Sequence, residues 1–339
     1  MWPVRLCRGF CLLMAVAIHP IHFGFTPLVD AQTTAPTKLS GVSILGFAFD
    51  PTTPDLLYAA TGDGVFKRTS GGQSWLALNN GLTDRNIEAV AIDPHDPSIL
   101  YAAAYGGLFT STTGGENWAP ANTGLPANTH PYFFALDPKQ SGHVYTASGD
   151  GIFESTNRGE QWTARNTGLT GTKINALASV PTRPLTLYIG TLKNGVFQSI
   201  DAGQSWTAKN SGLLDMFIPA LTVDPTNSEI LYAATGAGIF TSHDAGAHWA
   251  AANTGIPAGS FVGSLIPDPT EPKTLYAETD QGVFKTTTAG ASWTVSNTGL
   301  TDTNIEVLAL DPHNPQTLYV GNFSGGFKTT DGGTNWVRL

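Results

Sequence analysis

Carboxylates recur at one position of a repeated octapeptide, and carboxylates can transfer protons or hold metal ions. Asp201, Asp244 and Asp331 are each the third residue of a Ser/Thr-x-Asp-x-Gly-x-x-Trp sequence. In the other copies this position holds Ser70, Thr113, Asn157 or Thr288. A hydroxyl cannot replace a carboxylate in acid–base catalysis, but all four residue types accept backbone hydrogen bonds and close turns. We therefore predict that these aspartates are structural acceptors for buried N–H groups, with no metal site.

The octapeptide also fixes a glycine and a tryptophan. Glycine always stands three residues before the tryptophan, where it permits the positive φ of a tight turn. In the copies with aspartate the pairs are Gly203 and Trp206, Gly246 and Trp249, and Gly333 and Trp336. The seven tryptophans recur every 43 or 44 residues, at Trp75, Trp118, Trp162, Trp206, Trp249, Trp293 and Trp336. A period of this length indicates a repeat architecture.

Each repeat unit predicts four strands. It contains an apolar stretch ending in Asp-Pro, runs similar to TLYAAT and GVFKST, the octapeptide and NTGL. The runs are rich in β-forming residues and are bounded by Gly, Pro, Asn or Asp. Seven such units predict an all-β fold, a single seven-bladed β-propeller of four-stranded antiparallel blades, with columns of Tyr and Phe between the blades. The predicted blades are 42–79, 87–122, 131–166, 174–210, 218–253, 261–297 and 305–339.

The amino terminus has the pattern of a secretory signal peptide. Arg5 and Arg8 precede an apolar run that ends at His19, which is too short for a membrane span. We predict a signal peptide at 1–31 and a linker at 32–41, with retention as an uncleaved anchor as the alternative. The cleaved protein would be secreted or periplasmic, without stable membrane insertion.

Composition limits the partners of this chain. Both cysteines lie within the predicted signal peptide, so the mature chain would form no disulfide. The formal net charge is −9, and removal of the signal peptide makes the chain more acidic. A nucleic acid would be repelled at long range. The residue pattern indicates no cofactor and leaves the oligomeric state open.

The octapeptide resembles the Asp-box, or BNR repeat. That repeat occurs in sialidases, sortilin-type receptors, xyloglucanase-type glycoside hydrolases and photosystem II assembly-factor propellers, and the resemblance covers essentially residues 42–339. It implies the same propeller fold. Sialidases are expected to use an arginine cluster announced by an Arg-Ile-Pro segment, which this sequence lacks.

One face of the predicted propeller escapes the repeat. The turns between second and third strands and the connections between blades differ from copy to copy, a pattern typical of a binding surface on a rigid scaffold. Five aromatic residues fall there, namely Tyr105, Tyr132, Phe217, Phe261 and Phe323. We therefore expect a non-catalytic scaffold that binds a protein or polysaccharide through this face.

A glycoside hydrolase acting on a β-glucan is the alternative. The segment LLYAATGDG at 56–64 is similar to the first blade of xyloglucanase-type enzymes, in which a catalytic aspartate directly follows the threonine; here Asp63 is displaced by one residue. Thr279 and Asp280 restore that order in the sixth blade. Glu88 and Glu306 lie in a non-repeating column of the innermost strand and would form an acid–base pair. These four carboxylates are the candidate catalytic residues.

Overall fold

The computed structural model describes residue 39 and the ranges 41–68, 74–127, 129–180, 182–183 and 185–339. The predicted signal peptide, most of the predicted linker and Ser70 lie outside these residues. The described residues form seven four-stranded antiparallel sheets, in which the strands follow one another in chain order. The predicted seven-bladed β-propeller is confirmed.

Every blade falls within its predicted range. The first three blades contain β1 (Ile44–Phe49), β2 (Leu57–Thr61), β3 (Gly64–Arg68) and β4 (Trp75–Ala77); β5 (Ile87–Ile92), β6 (Leu100–Ala104), β7 (Gly107–Ser111) and β8 (Ala119–Pro120); and β9 (Phe133–Leu136), β10 (Val144–Ser148), β11 (Gly151–Ser155) and β12 (Thr163–Ala164). The fourth and fifth blades contain β13 (Ile174–Ser179), β14 (Leu187–Thr191), β15 (Val196–Ser199) and β16 (Thr207–Ala208); and β17 (Ala220–Val223), β18 (Leu231–Thr235), β19 (Gly238–Ser242) and β20 (Ala250–Ala251). The last two contain β21 (Val262–Pro267), β22 (Leu275–Thr279), β23 (Gly282–Thr286) and β24 (Thr294–Val295); and β25 (Val307–Leu310), β26 (Leu318–Asn322), β27 (Gly325–Thr329) and β28 (Val337–Arg338).

Seven equivalent hydrophobic cores lie between the blades. In each core the tyrosine of one blade packs with the phenylalanine and the tryptophan of the next blade, as Tyr145 does with Phe197 and Trp206. The same three positions meet at every other interface, including Tyr319 of the last blade with Phe66 and Trp75 of the first. Because the second strand lies between two blades, all five of its residues are buried in every copy.

The ring closes by packing between complete blades. The innermost strands contact their neighbours all around the ring, and β1 contacts both β25 and β26. His313 Nε2 of the last blade lies 2.8 Å from the carbonyl oxygen of Asp50 in the first. In the predicted linker, Leu39 is buried in the core of the closing interface and the Gly41 N–H donates to the Ser324 carbonyl at 2.9 Å. Each sheet contains its own four consecutive strands.

The tryptophan also forms two hydrogen bonds to the preceding blade. The Trp206 indole N–H donates to the Arg165 carbonyl at 2.7 Å, and its backbone N–H donates to the Thr167 carbonyl at 3.0 Å. Gly168 follows in the NTGL segment, and a Cβ at this glycine would lie only 2.5 Å from the Trp206 carbonyl oxygen. The same indole bond is made by Trp118, Trp162, Trp249, Trp293 and Trp336. The repeated Asn-Thr-Gly therefore provides the docking position for the next blade.

The octapeptide is a turn closed by two oxygen acceptors. The Ser199 hydroxyl accepts the buried Gly203 N–H at 2.8 Å, and the Asp201 carboxylate accepts the Ser205 N–H at 2.9 Å. Thr113, Asn157 and Thr288 accept the equivalent N–H groups in their own turns. The donor to Asp201 is exposed, however, so water can replace this acceptor. The expectation that the aspartate satisfies buried donors is corrected, because the first hydroxyl of the octapeptide has that role.

We predict that Ser199→Ala destabilises the protein more than Asp201→Asn. The alanine leaves the buried Gly203 N–H without its acceptor, which costs about 1–3 kcal/mol. The asparagine keeps an oxygen that can accept the Ser205 N–H. Chemical denaturation of the two variants gives the comparison, and a larger loss for Asp201→Asn would show that the negative charge is required.

Candidate ligand-binding face

The second-to-third strand turns and the blade connections lie on one face, called here the variable face. They are held by the asparagine of each NTGL segment. Asn79 Oδ1 accepts the Val65 N–H at 2.9 Å, and its Nδ2 donates to the Asp63 carbonyl at 3.1 Å. Asn122, Asn166, Asn210, Asn253 and Asn297 accept the equivalent N–H in their own blades. This repeated bond fixes the turn backbone while the side chains at its tip vary.

One aromatic group lies on the second and third blades. Tyr105 and His130 have ring centroids 4.2 Å apart with an interplanar angle of 33°, and the His130 Nδ1 contacts the Tyr105 carbonyl oxygen. Tyr105 is 47% exposed. Tyr132 lies on the next blade, where its hydroxyl reaches the turn at Gly149. The structure therefore places both predicted tyrosines on this face and adds His130.

A second aromatic group lies on the fifth and sixth blades. The rings of Phe217 and Phe261 are stacked, with centroids 6.3 Å apart and an interplanar angle of 27°. Carboxylates position both residues: Asp215 accepts the Phe217 N–H at 2.8 Å, and Asp280 accepts the Phe261 N–H at 3.2 Å. The Asp280 N–H in turn donates to the Phe261 carbonyl at 3.1 Å. Asp280, a candidate catalytic residue, thus holds a connection in place.

Exposed apolar side chains lie on both faces of the ring. Phe323 is 48% exposed on the variable face, at the turn of the seventh blade. Leu214, which the sequence analysis did not single out, is 79% exposed in the connection before the fifth blade. Leu185 and Ile200 are exposed on the opposite face; Ile200 belongs to the octapeptide turn of the fourth blade, and the Leu185 carbonyl accepts the Ala202 N–H of that turn. Among the exposed large hydrophobic side chains of the described residues, the aromatic ones are Tyr105 and Phe323, and both lie on the variable face.

The non-repeating column of the innermost strands coincides with irregular backbone. The strand register shifts at Leu45, Glu88, Asn175 and Gly263. Such bulges redirect side chains and are frequent next to functional sites. Glu88 therefore lies at a bulge in the second blade, while Glu306 precedes β25 in the seventh and binds Gly321 through its N–H at 2.9 Å.

The four candidate catalytic carboxylates are spread over four consecutive blades. Asp63 is exposed on the turn of the first blade, Glu88 and Glu306 are half-buried in the second and seventh, and Asp280 lies in the sixth. All four belong to turns, connections or innermost strands of the variable face.

Glu278 is a buried carboxylate that the sequence analysis missed. It is 7% exposed and lies in β22, paired with Ser264 across the bulge at Gly263. A Cβ on Gly263 would lie 2.3 Å from the Glu278 Oε2. The signal was present in the sequence, since the equivalent residues are Ala60, Ala103, Ala147, Gly190, Ala234 and Gly321.

The third blade contains a buried ionic cluster near the opposite face. His143 lies between the carboxylates of Asp137 at 2.9 Å and Glu154 at 2.7 Å. Glu154 also accepts hydrogen bonds from Arg165 and from the Tyr145 hydroxyl. The hydrogen bond to Glu154 raises the pKa of His143. Although burial opposes it, hydrogen bonds from His143 and Arg165 lower the pKa of Glu154 to about 2.

The octapeptide carboxylates are held in their ionised form. A hydrogen bond from Ser205 lowers the pKa of Asp201, and bonds from His248 and Asn335 lower the pKa values of Asp244 and Asp331 to about 2. A general acid needs a pKa near the working pH. These aspartates are therefore poor proton donors.

Within the described ranges, no cluster of three or more His, Cys, Asp or Glu side chains has the arrangement of a metal site. The same residues include no helix with the length and apolarity needed to cross a membrane.

No protein-family model and no curated protein sequence matches this chain. Many solved structures share its fold. The GH74 xyloglucanase from Xanthomonas campestris is similar with a TM-score of 0.74 and 19% identity, over 89% of this chain and 55% of that one. This chain thus spans about half the length of that enzyme.

Two similar structures are not described as enzymes. YCF48 bound to D1 peptide is similar with a TM-score of 0.68 and 13% identity, over 89% of this chain and 96% of that one. The extracellular domain assigned to a one-component system from B. thetaiotaomicron gives a TM-score of 0.68 at 16% identity, over 88% of this chain and 39% of that one. The TM-scores show that these proteins share the propeller fold with this chain.

We predict that the His143 cluster makes stability depend on pH. The folded-state pKa of His143 lies above the ordinary value of 6.5, so its contribution is complete below that value and is lost as pH rises through the folded-state pKa. The melting temperature should fall by a few degrees between pH 5.5 and 9. His143→Gln cannot become charged and should flatten this decrease; an equal decrease in the variant would contradict the assignment.

Proposed function

We propose that this protein is an exported, non-catalytic β-propeller that binds a protein or glycan through the variable face. The observation that carries the proposal is a set of aromatic residues on the turns and connections of this face, namely Tyr105, Tyr132, Phe217, Phe261 and Phe323. The repeated asparagine bond holds the turn of Tyr105, and Asp215 and Asp280 hold the connections of Phe217 and Phe261. Aromatic side chains supply large contact areas at low entropic cost. A fixed backbone reduces the ordering that binding requires.

The environment of the acids favours binding over catalysis. Asp280 anchors Phe261, and Asp63 is exposed to solvent. An acid–base pair for glycoside hydrolysis requires two carboxylates on either side of one bond, at a separation of about 5–10 Å. The four candidates belong to four blades, and in the binding proposal a partner meets them as polar contacts around the aromatic groups.

The similar structures support both a binding and an enzymatic role. YCF48, which this chain matches over nearly its whole length, has been solved with a bound peptide. That precedent supports a peptide-binding face on a single propeller. The xyloglucanase resemblance implies a cleft between two propellers, and the residues that the structure describes here form one.

Two finer assignments belong to the same proposal. The octapeptides are Asp-boxes, because their serine or threonine, acceptor and glycine close the same turn in every described copy. Residues 1–31 are a signal peptide that directs the protein to a secreted or periplasmic location, which suits a mature chain without cysteine.

The second candidate function is a xyloglucanase-like hydrolase. It is favoured by the fold similarity to the X. campestris enzyme and by Asp63 in the segment 56–64. In that case Asp63, Glu88, Asp280 or Glu306 would act on a β-glucan at the mouth of the central channel.

We predict that replacing Tyr105 and Tyr132 together by alanine weakens binding at least about tenfold. Neither residue belongs to the aromatic cores between blades, so the melting temperature should change little. Binding is measured against a polysaccharide panel and against proteins of the extracytoplasmic fraction. Ile200→Thr on the opposite face is the control, and a double variant that binds as well as wild type would contradict the proposal.

The hydrolase alternative predicts measurable release of reducing sugar ends from a β-glucan. Asp63→Asn, Glu88→Gln, Asp280→Asn and Glu306→Gln then separate the roles, since loss of a catalytic carboxylate lowers kcat by orders of magnitude while sparing affinity. Hydrolysis that is abolished by one of these changes, with an unchanged melting temperature, would replace the binding proposal with the enzymatic one.

A further inference from the structure

Glu278 introduces a charge where the repeat places a methyl group or a hydrogen atom. Its position in β22 is occupied by alanine or glycine in all other blades. A buried carboxylate is costly unless hydrogen bonds or a positive charge compensate it. Packing alone would therefore favour alanine or glycine over Glu278 at this position of the sixth blade.

The backbone is shaped to accommodate this carboxylate. Gly263 is the extra residue of the bulge between Val262 and Ser264, and any side chain there would collide with the Glu278 Oε2. The same missing Cβ would lie 3.2 Å from the Phe261 Cε1. The carboxylate of Glu278 and the ring of Phe261 thus converge over one glycine in the channel-lining strand.

Phe217 extends this group toward the fifth blade. Its ring stacks on Phe261, and Asp215 and Asp280 hold the two backbones. Phe217, Phe261 and Gly263 are each partly exposed, whereas Glu278 is buried next to Gly263. A ligand entering from the variable face would meet aromatic surface first and the carboxylate at its end.

A carboxylate combined with aromatic rings recognises cations. An ammonium or guanidinium group is attracted to the face of an aromatic ring and forms strong hydrogen bonds with a carboxylate. The surrounding face is acidic, which also favours a cation. Its turns and connections contain the acidic residues Asp63, Asp84, Asp150, Asp215, Asp280 and Asp302 and the basic residues Arg85, Lys173 and Lys193.

We propose that Glu278, Phe261 and Phe217 form a site for a cationic side chain, a lysine or arginine of a protein partner. The site rests on the proposed binding function and narrows the partner class from protein or glycan to a basic peptide segment. Glu278 makes the charged contact at the end of the site, the two phenylalanine rings hold the aliphatic stem, and Asp280 positions Phe261.

The probe is a short peptide with one arginine between glycines, blocked at both ends. A peptide with citrulline in place of arginine is nearly the same shape but neutral, which isolates the charge. Agmatine, which carries a guanidinium group without a peptide backbone, tests whether the ligand is a small molecule or a peptide. Binding to the full-length mature protein is measured by calorimetry or NMR titration.

We expect the arginine peptide to bind at least about tenfold more tightly than the citrulline peptide. Glu278→Gln and Glu278→Ala should each remove this preference. The alanine variant reproduces the residue of four other blades, so folding is expected to tolerate it, and melting curves verify this. Asp201→Asn on the opposite face is the matched acidic control and should bind like wild type.

Three results would overturn the site. These are equal binding of the arginine and citrulline peptides, unchanged preference in both Glu278 variants, or equal losses in Asp201→Asn. Agmatine binding as tight as that of the peptide would overturn the assignment to a protein side chain. If the Tyr105 and Tyr132 double variant loses a partner that both Glu278 variants retain, the binding face stands and the cation site is wrong.

Discussion

The packing of each blade's tyrosine beneath the phenylalanine and tryptophan of the next blade is the interaction on which the ring depends. Tyr145, Phe197 and Trp206 illustrate it, and the indole N–H of Trp206 adds a bond to the preceding blade at 2.7 Å. No blade buries its own faces, so each is stabilised only by its neighbours. The closing interface uses the same three positions, so among the described residues the first and last blades pack as any other two neighbouring blades do.

Because of this packing, some residues are fixed by the ring and others can vary in sequence. The octapeptide turns, the Asn-Thr-Gly segments and the three aromatic columns all serve contacts between or within blades. The tips of the opposite turns lie outside the three aromatic columns, and in six blades Asn79 or its equivalent holds the turn backbone. Side chains such as Tyr105 and Phe323 can therefore vary without a change in the core. Side chains on this face can therefore be suited to a partner while the backbone that carries them stays the same.

The sequence predicted the fold because repetition makes weak strand signals consistent across seven copies. Comparison of copies also placed Tyr105 and Phe323 on the correct face and identified the octapeptide acceptor as replaceable. It did not show that Ser199 holds the buried donor, because Ser199 and Asp201 are both polar residues in the same turn. Nor did it show the stacking of Phe217 on Phe261, which joins connections 44 residues apart along the chain. Glu278 was detectable as a departure from alanine, but its approach to Gly263 depends on a bulge that no residue pattern predicts.

The central claim is that recognition uses the variable face and that the octapeptide face is structural. A photoreactive phenylalanine analogue placed at Tyr105 or Phe323, and in a separate variant at Ile200, tests it in the cells that produce the protein. All three positions are exposed, and Ile200 at 71% is more exposed than Tyr105 at 47% or Phe323 at 48%, so poor exposure would not explain a missing crosslink at Ile200. The account predicts that Tyr105 and Phe323 crosslink to the same partner and that Ile200 does not. Crosslinking of that partner through Ile200 alone would contradict it.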